Sequence, residues 1–230
     1  MSRTTRCSRL LPLFTAALVT VLLSPPARAA DDGSTDVVTR ATEVYRELIA
    51  APDHEVPQRL LKDCDCVAVF PKVYKAALGF GGRYGKGVVS CRDTSGAWSP
   101  VAFFKLTGGS WGFQIGGSAT ELVLYFMTER SARSLLDSQF TLGAQASVAA
   151  GPVGRAAEAD TDLKLDAEIY SYARSKGLFA GISLEGAQMA PHDDDATAFY
   201  GAPVTAKALL FEHKAPSRPA AMVKFLGVLP

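Results

Sequence analysis

The residues of this chain best suited to chemistry are cations placed beside glycines. Lys72 and Lys75 follow the apolar run Val67-Ala68-Val69-Phe70. Arg83 and Lys86 lie within GFGGRYGKG over residues 79–87, Arg155 follows Gly151-Pro152, and Arg174 and Lys176 sit in RSKG over 174–177. Glycine lets the backbone come close to a ligand, and Arg and Lys donors beside it suit a phosphate or another anion. From Arg59 to Lys105 there are eight Lys or Arg and three Asp or Glu, so this segment is basic. The functional reading is an anionic surface or headgroup site. The structural reading is solvated strand faces, with lysines guarding strand edges.

The other patterns with chemical potential are weaker. Gly108-Gly109-Ser110-Trp111-Gly112 matches G-x-S-x-G, which in hydrolases puts a nucleophilic serine on a strand-to-helix turn. Here Phe113 and Ile115 alternate with Gly and Gln, which is no helix pattern, so a glycine-rich hairpin turn is expected. GFGGRYGKG has no Ser or Thr after its Gly-Lys and no following helix, and fits neither the phosphate loop nor the dinucleotide fingerprint. Tight turns between strands are expected there. His54, His192 and His213 share no metal or catalytic spacing and are expected at the surface. His192-Asp193-Asp194-Asp195 lacks the alternation and glycine of a calcium loop and reads as an acid-rich helix start. No catalytic residue, cofactor or metal site is expected.

Residues 1–29 have the pattern of a secretory signal peptide. Arg3, Arg6 and Arg9 precede the apolar run from Leu10 to Leu23, and Ala27-Arg28-Ala29 is a small-x-small cleavage site. No later apolar run reaches the roughly 18 residues a spanning helix needs. An exported protein, periplasmic or secreted, is expected. Cleavage removes four of the 24 Lys and Arg and none of the 23 Asp and Glu, leaving a formal charge of about −3. That excludes the whole-domain basic footprint of a nucleic-acid binder. Cys64, Cys66 and Cys91 remain, and export favours a disulfide. Cys64 and Cys66 share a face on a strand, so one of them pairs with Cys91. Cys66–Cys91 is preferred because both then lie within strands; Cys64–Cys91 stays open, and zinc is the rival reading.

The elements that must position these residues change character at Cys66. Residues 30–55 are expected to hold an amphipathic helix from Asp36 to Ala51, capped by Thr35 or Asp36. Its apolar positions are Val37, Ala41, Val44, Tyr45 and Leu48, and Pro52 ends it. Residues 56–230 are expected to form one domain, opening with helical turns from Val56 to Asp63. Strand periodicity then begins. Val67 to Phe70 is expected to stop at Pro71, with strands at Gly79 to Tyr84 and Gly87 to Cys91 around a Gly85-Lys86 turn. Asp93-Thr94-Ser95-Gly96 closes a hairpin into Trp98, and Gly108-Gly109 turns the strand from Val101 to Leu106 into Trp111. Glu121 to Met127 is strongly apolar, and Glu129 to Ser138 reads as a helix. Further on, Gly151-Pro152 forces a turn, and Tyr170 to Leu184 reads as strand, turn, strand. Short helices at Asp193 to Tyr200 and Thr205 to Phe211, and an apolar segment from Ala220 to Leu229, close the chain. The expected class is α+β: an antiparallel β core, barrel- or sandwich-like, with short flanking helices.

Several of these stretches together resemble the SYLF domain family. They are VAVFPK, YGKGVV, Gly-Ala-Trp98-Ser99-Pro, WGFQIGG, TLGAQASVAAGPVGR and YSYARSKGLFAGISLEG, in that order, over roughly Val56 to Phe211. The paired cysteines and the signal peptide are similar to its bacterial, exported branch. The resemblance implies binding of anionic lipid without catalysis, phosphoinositides in the eukaryotic members, and an actin-bundling role in some fungal ones. It supplies no residues for the headgroup, so the contacts expected are this chain's own Lys72, Lys75, Arg83, Lys86, Arg155, Arg174 and Lys176. The partner expected is an anionic lipid or membrane surface, held peripherally. A structural role docking an envelope protein is the alternative.

Overall fold

From Cys66 to Cys91 the chain is one unbroken strand, β1, and from Ala102 to Phe126 it is a second, β2. The structure, a computed structural model, describes residues 32–51, 56–152, 166–175 and 178–230; side chains 32, 77–80 and 110–117 are left out of the description. Residues 1–29, His54, Arg155 and Lys176 therefore lie outside the described residues. The long strands pair antiparallel, with Cys66 opposite Phe126 and Val89 opposite Ala102. The turn expected at Asp93 to Gly96 joins them. Asp93 Oδ1 accepts from the backbone N–H groups of Ser95 and Ala97, and Gly96 takes a φ of 84° that suits glycine.

Three expected breaks are strand interior instead. Pro71 lies where the register slips between Phe70 and Val73, a bulge that spares it a ladder hydrogen bond. Gly85 and Lys86 sit opposite Leu106 and Lys105, and Gly108 and Gly109 opposite Arg83 and Gly82. Gly85 and Gly87 serve close packing rather than turning. A Cβ at Gly87 would lie 2.4 Å from Phe70 Cδ1 and 2.5 Å from the Val69 carbonyl oxygen; one at Gly85 would lie 2.9 Å from Val73 Cγ2. The second half of β1 thus lies against its first half, and the strand curls the sheet with it.

Among the described residues five shorter strands complete a seven-stranded sheet: β3 (Phe140–Thr141), β4 (Val148–Ala150), β5 (Ile169–Ser175), β6 (Leu178–Gly181) and β7 (Gln188–Pro191). Its order is β3-β7-β2-β5-β4, with β1 also on β2 and β6 also on β5. Among these described strands every pairing is antiparallel except β4 with β5. This is the expected α+β class, as a curled half-barrel. β5 and β6 are the two strands of the expected strand, turn, strand, and residues 176–177 between them lie outside the described residues. Gly151, directly after β4, does not have positive φ. A Cβ there would fall 2.1 Å from Tyr172 Cζ, while Tyr172 donates its hydroxyl to the Pro152 carbonyl at 2.9 Å. Gly151 is there so that the Tyr172 ring can lie on it.

Helix α1 spans Asp32–Ala50 and starts four residues earlier than expected. Asp36 is inside it and pairs with Arg40 at 2.7 Å, an i,i+4 contact that favours a helical rather than a capping position. Its buried stripe is Val38, Ala41, Val44, Tyr45 and Leu48; Val38, not Val37, faces inward against β1. Helix α2 (Gln58–Asp63) follows as expected. Helix α3 (Glu129–Arg133) is capped by Thr128 and runs into a 3-10 turn at Ser134–Leu136. Helices α4 (Asp193–Tyr200), α5 (Ala206–Leu210, capped by Thr205) and α6 (Ala220–Leu226) close the chain. Cys66 and Cys91 form a disulfide that ties the two ends of β1, and Cys64 is buried and free.

Candidate anion-binding cleft

Alternation along the strands sorts the candidate cations by face. On β2, Ser118, Thr120 and Leu122 point to one side while Glu121 and Val123 point to the other. On β5, Ala173 and Ser175 share the side of Leu122, which sits opposite Ala173. On β1, Val73 and Lys75 share it too, opposite Thr120 and Ser118. These residues line a cleft of about 510 Å³, closed by Arg83 of β1, Leu178 and Ala180 of β6, and the segment Ile182-Ser183-Leu184. The lining changes along β2. It is apolar at Leu122 and hydroxylic at Thr120 and Ser118, and Lys75 stands directly across from Ser118.

Arg83 enters this cleft from the curled-back half of β1. A Cβ on Gly108 would lie 3.4 Å from its Cγ and Cδ, so the missing side chain leaves room for the Arg83 stem. Its Nε is shut off from solvent and has no hydrogen-bond partner among the described residues. A buried guanidinium N–H without an acceptor is costly.

The remaining candidates are held elsewhere. Arg174 lies on the opposite face, under α1. Its guanidinium pairs with Glu121, directly across on β2, and with Glu47 of α1, and it stacks 5.3 Å from the Phe179 ring centroid. Lys86 Nζ is 2.9 Å from Asp195 of α4, whose carboxylate also lies 3.0 Å from His192 Nδ1. Lys72 is exposed on the face away from the cleft, its ammonium 4.9 Å from the Tyr74 ring centroid. The structure thus brings together Lys75 and Arg83, not all the candidates. Ser110 pairs with Gly81 in mid-strand, so the residues after it form neither the helix of a nucleophile elbow nor the expected hairpin turn. Among the described residues no group of three His, Cys, Asp or Glu could hold a metal ion. None of their helices is long and apolar enough to cross a membrane.

Sequence comparison then places the chain. A model of the Ysc84 family, described as "Las17-binding protein actin regulator", matches residues 107–229, more than half of the chain. The chain belongs to the Ysc84 family. This is the SYLF family that the motifs resemble. The chain is 36% identical over 151 residues to SH3 domain-containing YSC84-like protein 1 of Xenopus laevis, covering 65% of this chain and 45% of that protein. It is 35% identical over 173 residues to LAS seventeen-binding protein 3 of Saccharomyces cerevisiae, covering 74% and 38%. It is also 35% identical over 179 residues to Protein YSC84 of the same yeast, again covering 74% and 38%. The chain spans less than half the length of these relatives. The Ysc84 match takes in the β2, β5 and β6 walls of the cleft, while Lys75 and Arg83 precede it.

Sequence reasoning named the cations of the cleft but missed its hydroxyls, Ser118, Thr120, Ser175 and Ser183, and its apolar wall. The signal was there for β2 and β5. Ser118-x-Thr120-x-Leu122 and Ala173-x-Ser175 are period-two patterns on one face. Only the pairing of β2 with both β1 and β5 makes them neighbours of Lys75.

Proposed function

We propose that this Ysc84-family protein is a non-catalytic binding module for anionic phospholipid, with Lys75 and Arg83 meeting the headgroup. One observation carries the reading. The cleft sets two cations, Lys75 and Arg83, beside four hydroxyls and an apolar wall. Cations recognise phosphate through charge-assisted hydrogen bonds, and apolar walls suit the parts of a lipid that avoid water. Lys72 lies on the face away from the cleft, and Arg155 and Lys176 lie outside the described residues. The signal-peptide pattern of residues 1–29 supports work outside the cytoplasm, where the first lipid met is the envelope bilayer.

A second reading has its own support. The family description and the yeast relative are named for binding Las17, a protein. A protein partner docking on the curled sheet is consistent with those names. Co-sedimentation of the protein with neutral and with anionic phospholipid vesicles, at low and high salt, separates the two. Sedimentation with anionic vesicles alone, lost at high salt, is the expected result. Equal sedimentation with both kinds, or with neither, sinks the headgroup reading and leaves the protein partner.

A further inference from the structure

We infer that the cleft takes its anionic lipid as a single molecule, with one acyl chain inside the protein, rather than resting cations on a bilayer surface. This rests on the lipid reading above and goes further, to how the lipid is held. The lining of the cleft is graded from polar to apolar. Lys75 and Ser118 face each other at one end, Thr120 stands next along β2, and Leu122 with Ala173 follows. Ile182 and Leu184 continue the apolar side, and Leu184 is 2% exposed, so it belongs to the wall of the protein. An amphipath laid along this gradient puts its anion at Lys75 and its chain at Leu122.

Leu178 opens β6, lines the cleft and is 64% exposed, the most exposed large apolar side chain among the described residues. Such exposure is unfavourable in water, and a chain entering the cleft would cover it. The volume, about 510 Å³, falls in the range of small-molecule pockets, roughly 300–1,000 Å³. It suits one chain with its headgroup and not a patch of bilayer.

The test uses the full chain and dodecyl phosphate below its micelle concentration, with heat of binding as the readout. Saturable one-to-one binding is expected, with inorganic phosphate and the uncharged dodecyl maltoside each at least about tenfold weaker. Lys75→Glu removes the anion contact, and Ser183→Trp fills the cleft from an exposed position. Each is expected to weaken dodecyl phosphate at least about tenfold. Both positions are exposed, and near-ultraviolet circular dichroism checks that each variant is folded. Vesicle binding without saturable binding of monomeric dodecyl phosphate overturns the single-molecule mode and leaves the lipid reading standing. Wild-type affinity in both folded variants also overturns it, as does phosphate binding as tightly as dodecyl phosphate. Loss of both monomer and vesicle binding in the parent protein sinks the lipid reading itself.

Discussion

Lys72 and Lys75 are alike in the sequence and face opposite sides of β1. Lys75 looks across at Ser118 in the cleft, whereas Lys72 lies over Tyr74 on the other face. Charge patterning could name both but could not rank them, because the bulge between Phe70 and Val73 resets which residues point where. Arg174 shows the same limit. As a cation in a glycine-rich stretch it reads as a ligand contact, yet Glu47 and Glu121 hold it, and both lie far from it in the sequence. Arg174→Ala leaves two carboxylates without their partner in a site where Arg174 and Glu121 are each about a quarter exposed. A loss of about 1–3 kcal/mol in urea unfolding is expected, with binding to anionic vesicles retained. Unchanged stability would mean that the pairs contribute nothing measurable. At Gly87 a methyl group would meet Phe70 and the Val69 carbonyl, so Gly87→Ala is expected to cost about 1–3 kcal/mol. Gly109 has nothing within 4 Å of the added carbon, and Gly109→Ala is expected to stay within about 0.5 kcal/mol of the parent. Equal effects of the two in the same unfolding assay would remove the packing explanation for the glycines.

At the scale of elements, helices and hairpins with local causes were legible. Helices α2, α4 and α5, the Asp93 to Gly96 turn and the β5–β6 pair fall where periodicity, caps and turn residues put them. The long strands were not. Pro71, Gly85 and Gly108 each carry the signature of a break, but their reason is a bulge or the close approach of distant backbone, which sequence alone does not distinguish from a turn. The disulfide was legible as a preferred pairing, and the structure gives it a role. It joins the first and last residues of β1, 25 positions apart, across a strand that curls back on itself. Cys66→Ser with Cys91→Ser is expected to lower stability by about 2–4 kcal/mol. The urea midpoint of the double variant should match that of the parent under reducing conditions. An unchanged midpoint in both would show that the β1–β2 pairing alone holds the curl.

For the molecule as a whole, the buried acids of the core set a limit on alkaline stability. Burial pushes the Cys64 thiol up from 9.0 to about 12 and raises the hydroxyls of Tyr45, Tyr125, Tyr172 and Tyr200 well above 10.0. Below pH 9 the folded and unfolded chains both keep the thiol proton, and it has no effect on the balance. Between pH 9 and about 12 only the unfolded chain releases it, so stability falls as pH rises through that window. The tyrosines act in the same direction from pH 10 upward. Thermal midpoints from pH 7 to 11 should show this fall, with a smaller fall in Cys64→Ala; a flat profile would contradict the burial of these groups.

The central claim is that a particular cleft, and not the general charge of β1, meets the lipid. Its most direct test is co-sedimentation with anionic vesicles of the parent, Lys75→Glu and Lys72→Glu side by side at low salt. Both variants change the net charge equally and both sites are exposed on the same strand; only the face differs. The account predicts that Lys75→Glu weakens binding at least about tenfold, a change of about 1.4 kcal/mol or more, while Lys72→Glu stays close to the parent. Equal weakening by the two, or no weakening by Lys75→Glu, would contradict it.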